Sequence, residues 1–211
     1  MTDVKICGLS DPQGIDDAIM AGARFIGLVF VPDSPRFVSM ETAALLARRV
    51  PAGVRTVGLF VNPGDAILEH AVSSVPLDMI QLHGDETPGR VAEVKSRTAL
   101  SVMKAMRVAD EDDLIAAPGF EAAADWLLFD KKSDETYGGT GESFDWSLLK
   151  DRTFKKPWML AGGLNAANVA DALRVLSPDA VDVSSGVELA RGIKDSGKIT
   201  AFIQSVQEST N

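Results

Sequence analysis

Eight short apolar runs, each followed by a segment of helical periodicity, constrain the fold of this chain more than any other feature. The runs lie at 4–7, 25–30, 56–61, 79–82, 100–106, 126–130, 158–161 and 181–184. Their short length, β-branched and aromatic residues and polar boundaries read as buried strands. Helical spacing falls between them, at 12–21, 39–49, 63–73, 87–97, 110–116, 145–149, 165–176 and 196–208. Ser39 before Met40 and Glu41, and Asn62 before Pro63, read as helix starts, because their side chains can accept otherwise unpaired N–H groups. Strict alternation calls for a parallel sheet with right-handed crossovers. An open doubly wound sheet is the rival arrangement. It would usually carry a Gly-x-Gly-x-x-Gly turn after its first strand, where this chain has Cys7-Gly8-Leu9-Ser10. Eight units without that turn predict an α/β fold of the closed kind, a single (β/α)8 TIM barrel forming one domain over residues 1–211.

Closure would bring the carboxyl ends of all eight strands to one face, so residues far apart in sequence can share a site there. Cys7, at the end of the first strand, is the only cysteine. Alternation puts Lys5 on the same face as Cys7, with Val4 and Ile6 on the other. On residues alone, Cys7 is either a small buried hydrophobe or a general base or nucleophile whose thiolate Lys5 favours. An inward lysine needs a partner, and Asp182 on the eighth strand, beside the first in a closed barrel, is the candidate. Asp130 ends the sixth strand as a turn cap or as a carboxyl whose pKa an apolar surround raises, which would suit it to donate a proton.

Arg36 follows the second strand, as a solvated charge or as a bidentate grip on a carboxylate. Gln81 and His83 share a face at the end of the fourth. Gly162-Gly163 after the seventh strand and Ser184-Ser185-Gly186 after the eighth occupy the loops that commonly bind phosphate in these barrels, through exposed N–H groups. Met79, Met103 and Met106 read as barrel packing, and the stretch 131–143 as the longest loop at the mouth.

Bulk properties narrow the partners. A net charge of −9 argues against nucleic acid or an anionic membrane as the main target, while leaving room for a small phosphorylated substrate. One cysteine excludes an internal disulfide and suits a reducing compartment. Two histidines in unrelated elements make a metal site unexpected. The start lacks the basic and apolar run of a signal peptide, and no apolar run reaches membrane-span length. A cytoplasmic protein, monomer or homodimer, is the expectation.

Seven motifs stand in order: Lys5-Ile6-Cys7-Gly8-Leu9, Ser34-Pro35-Arg36-Phe37-Val38-Ser39, Gln81-Leu82-His83-Gly84, Gly138-Gly139-Thr140-Gly141, Phe144-Asp145-Trp146, Leu160-Ala161-Gly162-Gly163-Leu164 and Val181-Asp182-Val183-Ser184-Ser185-Gly186-Val187-Glu188. From Lys5 to about Lys198 the series resembles the phosphoribosylanthranilate isomerase family of tryptophan biosynthesis. That resemblance implies a (β/α)8 barrel that needs no cofactor. It further implies the Amadori rearrangement of N-(5-phosphoribosyl)anthranilate to 1-(2-carboxyphenylamino)-1-deoxyribulose 5-phosphate. By the same resemblance Cys7 is the general base, Asp130 the general acid, Arg36 the contact to the anthranilate carboxylate, and the loops after strands seven and eight the phosphate site. Two departures stand out: Glu142 where a basic residue is frequent, and Ala190-Arg191-Gly192 without the proline that often precedes this glycine. A related phosphosugar isomerase or epimerase and a non-catalytic sugar-phosphate binder are the rival functions. Neither gives a reason for both Cys7 and Asp130 at the mouth.

Overall fold

The computed structural model describes residues 1–132 and 145–209. Eight parallel strands follow one another round the ring: β1 (Asp3–Cys7), β2 (Phe25–Val29), β3 (Arg55–Phe60), β4 (Met79–Leu82), β5 (Ser101–Val108), β6 (Trp126–Lys131), β7 (Trp158–Leu160) and β8 (Ala180–Val183). The last pairs with the first, Lys5 opposite Asp182, and this closes the barrel that the alternation predicts. Each strand is followed by a helix: α1 (Pro12–Ala21), α2 (Met40–Ala47), α3 (Asp65–Ser74), α4 (Pro88–Thr98), α5 (Ala117–Ala123), α6 (Ser147–Lys150), α7 (Val169–Val175) and α8 (Ser196–Ser209).

The two faces of each strand feed two separate cores. Phe25, Val57, Met79, Met103, Leu128 and Met159 point inward and fill the barrel. Val4, Ile6, Ile26, Ile80, Leu127 and Val181 point outward and pack under the helices with Met106, which therefore belongs to the outer layer. Period-two alternation on a sheet covered on both faces produces this division. Helix starts follow local chemistry. Asp11, Ser39 and Thr87 accept N–H groups from Gly14, Thr42 and Arg90 at 2.9, 3.2 and 3.2 Å.

Three stretches differ from the sequence expectation. Asn62 is no helix cap: it takes a left-handed φ of 46°, its side chain accepts from Asp85 N at 2.8 Å, and α3 begins after Gly64. The expected helix at 110–116 is a 3₁₀ turn, Asp112–Leu114, with α5 starting later. Asp110 accepts from Asp112 N and Asp113 N, and Asp113 from Ala109 N, so the acidic side chains hold a turn. Pro118 then falls in the first turn of α5, where its missing N–H costs nothing. After β8 the chain makes a 3₁₀ turn, Ser185–Val187, and an unexpected antiparallel hairpin of β9 (Glu188–Ala190) and β10 (Ile193–Lys194). The Gly138-Gly139-Thr140-Gly141 motif and most of the expected loop at 131–143 lie outside the described residues. No helix among the described residues is long and apolar enough to cross a membrane.

Candidate active site

At the carboxyl ends of the strands lies a cavity enclosing about 520 Å³ with its open mouth. Its polar wall consists of Cys7, Ser34, Arg36, His83, Asp130, Asp182 and Ser184; Val29, Val31, Leu59 and Val61 form an apolar wall. Six of the residues singled out in the sequence therefore share one space. Cys7 and Asp130 enter it from β1 and β6, three places apart round the ring.

Below Cys7, Lys5 is fully buried and donates to Asp182 Oδ1 at 2.9 Å, the anticipated ion pair across the β1–β8 seam. Burial alone would pull the Lys5 pKa down, but Asp182 and then Cys7 outweigh it and hold the ammonium above its ordinary range. The expected depression of the thiol pKa does not follow. Burial pushes Cys7 up, and Asp182 adds to that, while Lys5 and Lys194 pull the other way without prevailing. Lys5 falls short because burial of the thiol is the larger effect and the Asp182 carboxylate adds to it.

Opposite the thiol, Asp130 is buried at the end of β6, with Oδ1 accepting from Lys131 N at 2.8 Å. Its Oδ2 stands 3.2 Å from His83 Nε2. That approach lies off the N–H direction, so His83 Nε2 has no hydrogen-bond partner among the described residues, and neither does Gln81 Oε1. Behind the ring, Gln81 Nε2 is 3.0 Å from His83 Nδ1. With the amide donating there, the ring proton is assigned to Nε2, facing Asp130. Gln81 is fully buried and does not line the cavity; it fixes His83 from behind.

Arg36 is buried rather than solvated, and forms a two-point pair with Glu188: Nε to Oε1 at 2.6 Å and Nη2 to Oε2 at 3.0 Å. Lys194 Nζ reaches the same carboxylate at 2.8 Å, and donates to Ser184 O at 3.0 Å and Ser184 Oγ at 3.3 Å. Burial pushes the Glu188 carboxyl up, but its hydrogen bonds from Arg36 and Lys194 overcome this and hold it below the usual glutamate range.

Beside the cavity, Gly162 and Gly163 both take left-handed φ values, 84° and 68°, which turn the chain sharply after β7. A Cβ at Gly186 would lie 2.0 Å from Leu164 O, so only glycine lets the loop after β8 sit against the loop after β7. Gly162, Gly163, Ser185 and Gly186 thus form a contiguous rim next to Ser184 but do not line the cavity itself.

Glu188 and Lys194 carry no role in the sequence reading. Glu188 closes the last quoted motif, which was the available signal; Lys194 sits in a short hairpin whose two-residue strand has no periodicity to detect. A buried Lys104–Glu86 pair at 2.7 Å was also missed. Its one trace is a charge interrupting the apolar run of β5.

Enzymes built on eight-stranded β/α barrels carry their active sites at this end of the strands, and the chain is one of that class. A family model described as N-(5'-phosphoribosyl)anthranilate isomerase matches residues 4–205. The N-(5'-phosphoribosyl)anthranilate isomerase of Paracoccus denitrificans is 55% identical over 203 residues, covering 95% of this chain and 94% of that one. Among solved structures, phosphoribosyl anthranilate isomerase from Thermotoga maritima superposes with a TM-score of 0.89 at 36% identity, covering 99% and 100% of the two chains. A complex of such an isomerase with reduced 1-(o-carboxyphenylamino)-1-deoxyribulose 5-phosphate gives 0.86 at 35%, with coverage of 99% and 100%. The chain belongs to the N-(5'-phosphoribosyl)anthranilate isomerase family.

Proposed function

We infer that this chain catalyses the Amadori rearrangement of N-(5-phosphoribosyl)anthranilate to 1-(2-carboxyphenylamino)-1-deoxyribulose 5-phosphate, the isomerase step of tryptophan biosynthesis. The observation that carries this reading is the one cavity lined by both Cys7 and Asp130, with Arg36 and four apolar side chains also on its walls.

Asp130, as the general acid, gives a proton to the furanose oxygen, and the C1′–O bond breaks as the anthranilate nitrogen supplies its electron pair. The product is an iminium, which acidifies the proton on C2′. The Cys7 thiolate removes that proton, and the C–H pair becomes the double bond of an enolamine. Reprotonation at C1′ with loss of the 2′-hydroxyl proton gives the ketone. Each proton transfer is worth about 10²–10⁴-fold.

Arg36, already braced by Glu188, holds the anthranilate carboxylate, and Val29, Val31, Leu59 and Val61 take the ring. His83 Nε2, buried and with no hydrogen-bond partner among the described residues, is free to donate to the sugar; Gln81 fixes its orientation. Asp182 holds Lys5 beneath the thiol. The phosphate sits on main-chain N–H groups of the rim formed by Gly162, Gly163, Ser184, Ser185 and Gly186, an arrangement that exposed N–H groups of tight turns allow. The same reading has one barrel domain working in the cytoplasm as a monomer or homodimer; the isomerase of Thermotoga maritima is dimeric. Purified protein should abolish the fluorescence of the anthranilate adduct at catalytic concentrations. Persistence of the signal with enzyme at the substrate's own concentration would favour a sugar-phosphate binder instead.

A further inference from the structure

A second layer of charge lies behind the cavity wall. Two ion groups face the thiol. Beneath it, on β1 and β8, Lys5 and Asp182 pair one to one and cancel. Beside it, on the loop after β2 and on the β9–β10 hairpin, Arg36 and Lys194 share the single carboxylate of Glu188 and leave one positive charge over. Among the described residues, the other titratable groups on the cavity, His83 just after β4 and Asp130 on β6, stand across it. Lys194 is not placed to touch a ligand. Its side chain is 2% exposed, and its three N–H groups are matched by Ser184 O, Ser184 Oγ and Glu188 Oε1. Ser184 Oγ in turn donates to Cys7 O at 3.1 Å, which ties the ammonium to the residue bearing the thiol.

We propose that Lys194 is a positioning residue: buried and uncancelled, its charge favours the thiolate of Cys7, while Glu188 divides its negative charge between Lys194 and Arg36. The inference rests on Cys7 acting as the base. Burial holds the Lys194 pKa below the ordinary lysine range, with Glu188 and then Cys7 pulling against it without prevailing. A clamp that served only to hold Arg36 would need the carboxylate and no second cation.

The chain's single cysteine makes the thiol directly readable. Ultraviolet absorbance of the thiolate, followed across pH in the intact protein, gives its titration, and the pH dependence of alkylation by iodoacetamide checks it. Lys194→Met should raise the midpoint by about 1 unit or more, Lys194→Arg should return it close to wild type, and Glu188→Gln should lower it. Opposite shifts for Lys194→Met and Glu188→Gln are the signature, because loss of a structural brace would disturb the site without regard to the sign of the charge. If both variants move the midpoint the same way, or neither moves it, the proposal fails. Should Lys194→Met not fold, the direction of Glu188→Gln decides alone. Cys7→Ala with undiminished turnover would overturn the base assignment and leave the thiol shifts standing, so the two failures are separable.

Discussion

Lys5 has no contact with water, and a buried ammonium is tolerable only because Asp182 meets it at 2.9 Å. Removing one partner of such a pair strands the other charge, a loss of about 3–5 kcal/mol. Asp182→Ala should therefore lose about that much stability in urea unfolding, and Lys5→Met in the same background should recover part of it. A loss within a few tenths of a kcal/mol would show that the pair is not what holds the seam. At this scale the sequence was most legible where strand alternation applies. Lys5 and Cys7 on the inner face, Asp130 at the end of β6 and the Lys5–Asp182 pair all follow from period two plus closure. The ionisation of Cys7 did not follow, because alternation reports who neighbours the thiol but not how completely the barrel removes it from water.

The hairpin β9–β10 is the element that converts neighbours into a site. It places Glu188 against Arg36 and Lys194 beside Ser184, all within a segment where a two-residue strand gives no pattern to read. Because Glu188 is held below its ordinary 4.5 in the fold, it stabilises the protein fully above that value, and the contribution drains away as pH falls through the lower folded value. Glu188→Gln should thus be less stable at neutral pH and show a shallower loss below about pH 4.5, readable as thermal midpoints across an acid series. An acid limb identical to wild type would contradict this. The loops after β7 and β8 offer a second test. Gly186→Ala must push its new Cβ away from Leu164 O, a cost of about 1–3 kcal/mol, and should raise KM for the phosphorylated substrate more than it lowers kcat. An unchanged KM would detach that rim from phosphate. Element ends were the least legible part of the sequence. Asn62 and the 110–116 stretch were misassigned because Asn and Asp side chains satisfy backbone N–H groups in turns as well as at helix starts.

For the molecule as a whole, closure of the barrel turns eight separate strand ends into one chemical space. Without the β1–β8 pairing, Cys7 and Asp182 would stand at opposite edges of an open sheet, and no assignment of acid and base to one cavity would hold. Strict alternation without a dinucleotide turn made that closure legible; the depth of the cavity and the charge layer behind it emerged only from packing. The central claim is that a thiolate and a carboxyl, Cys7 and Asp130, move the two protons of the rearrangement from one shared cavity. Its most direct test is single-turnover fluorescence of the anthranilate adduct with Cys7→Ala and Asp130→Ala, each checked for wild-type circular dichroism. Each variant should slow the chemical step by about 10²–10⁴-fold with the fold intact. Turnover within a few-fold of wild type in either one would contradict the account.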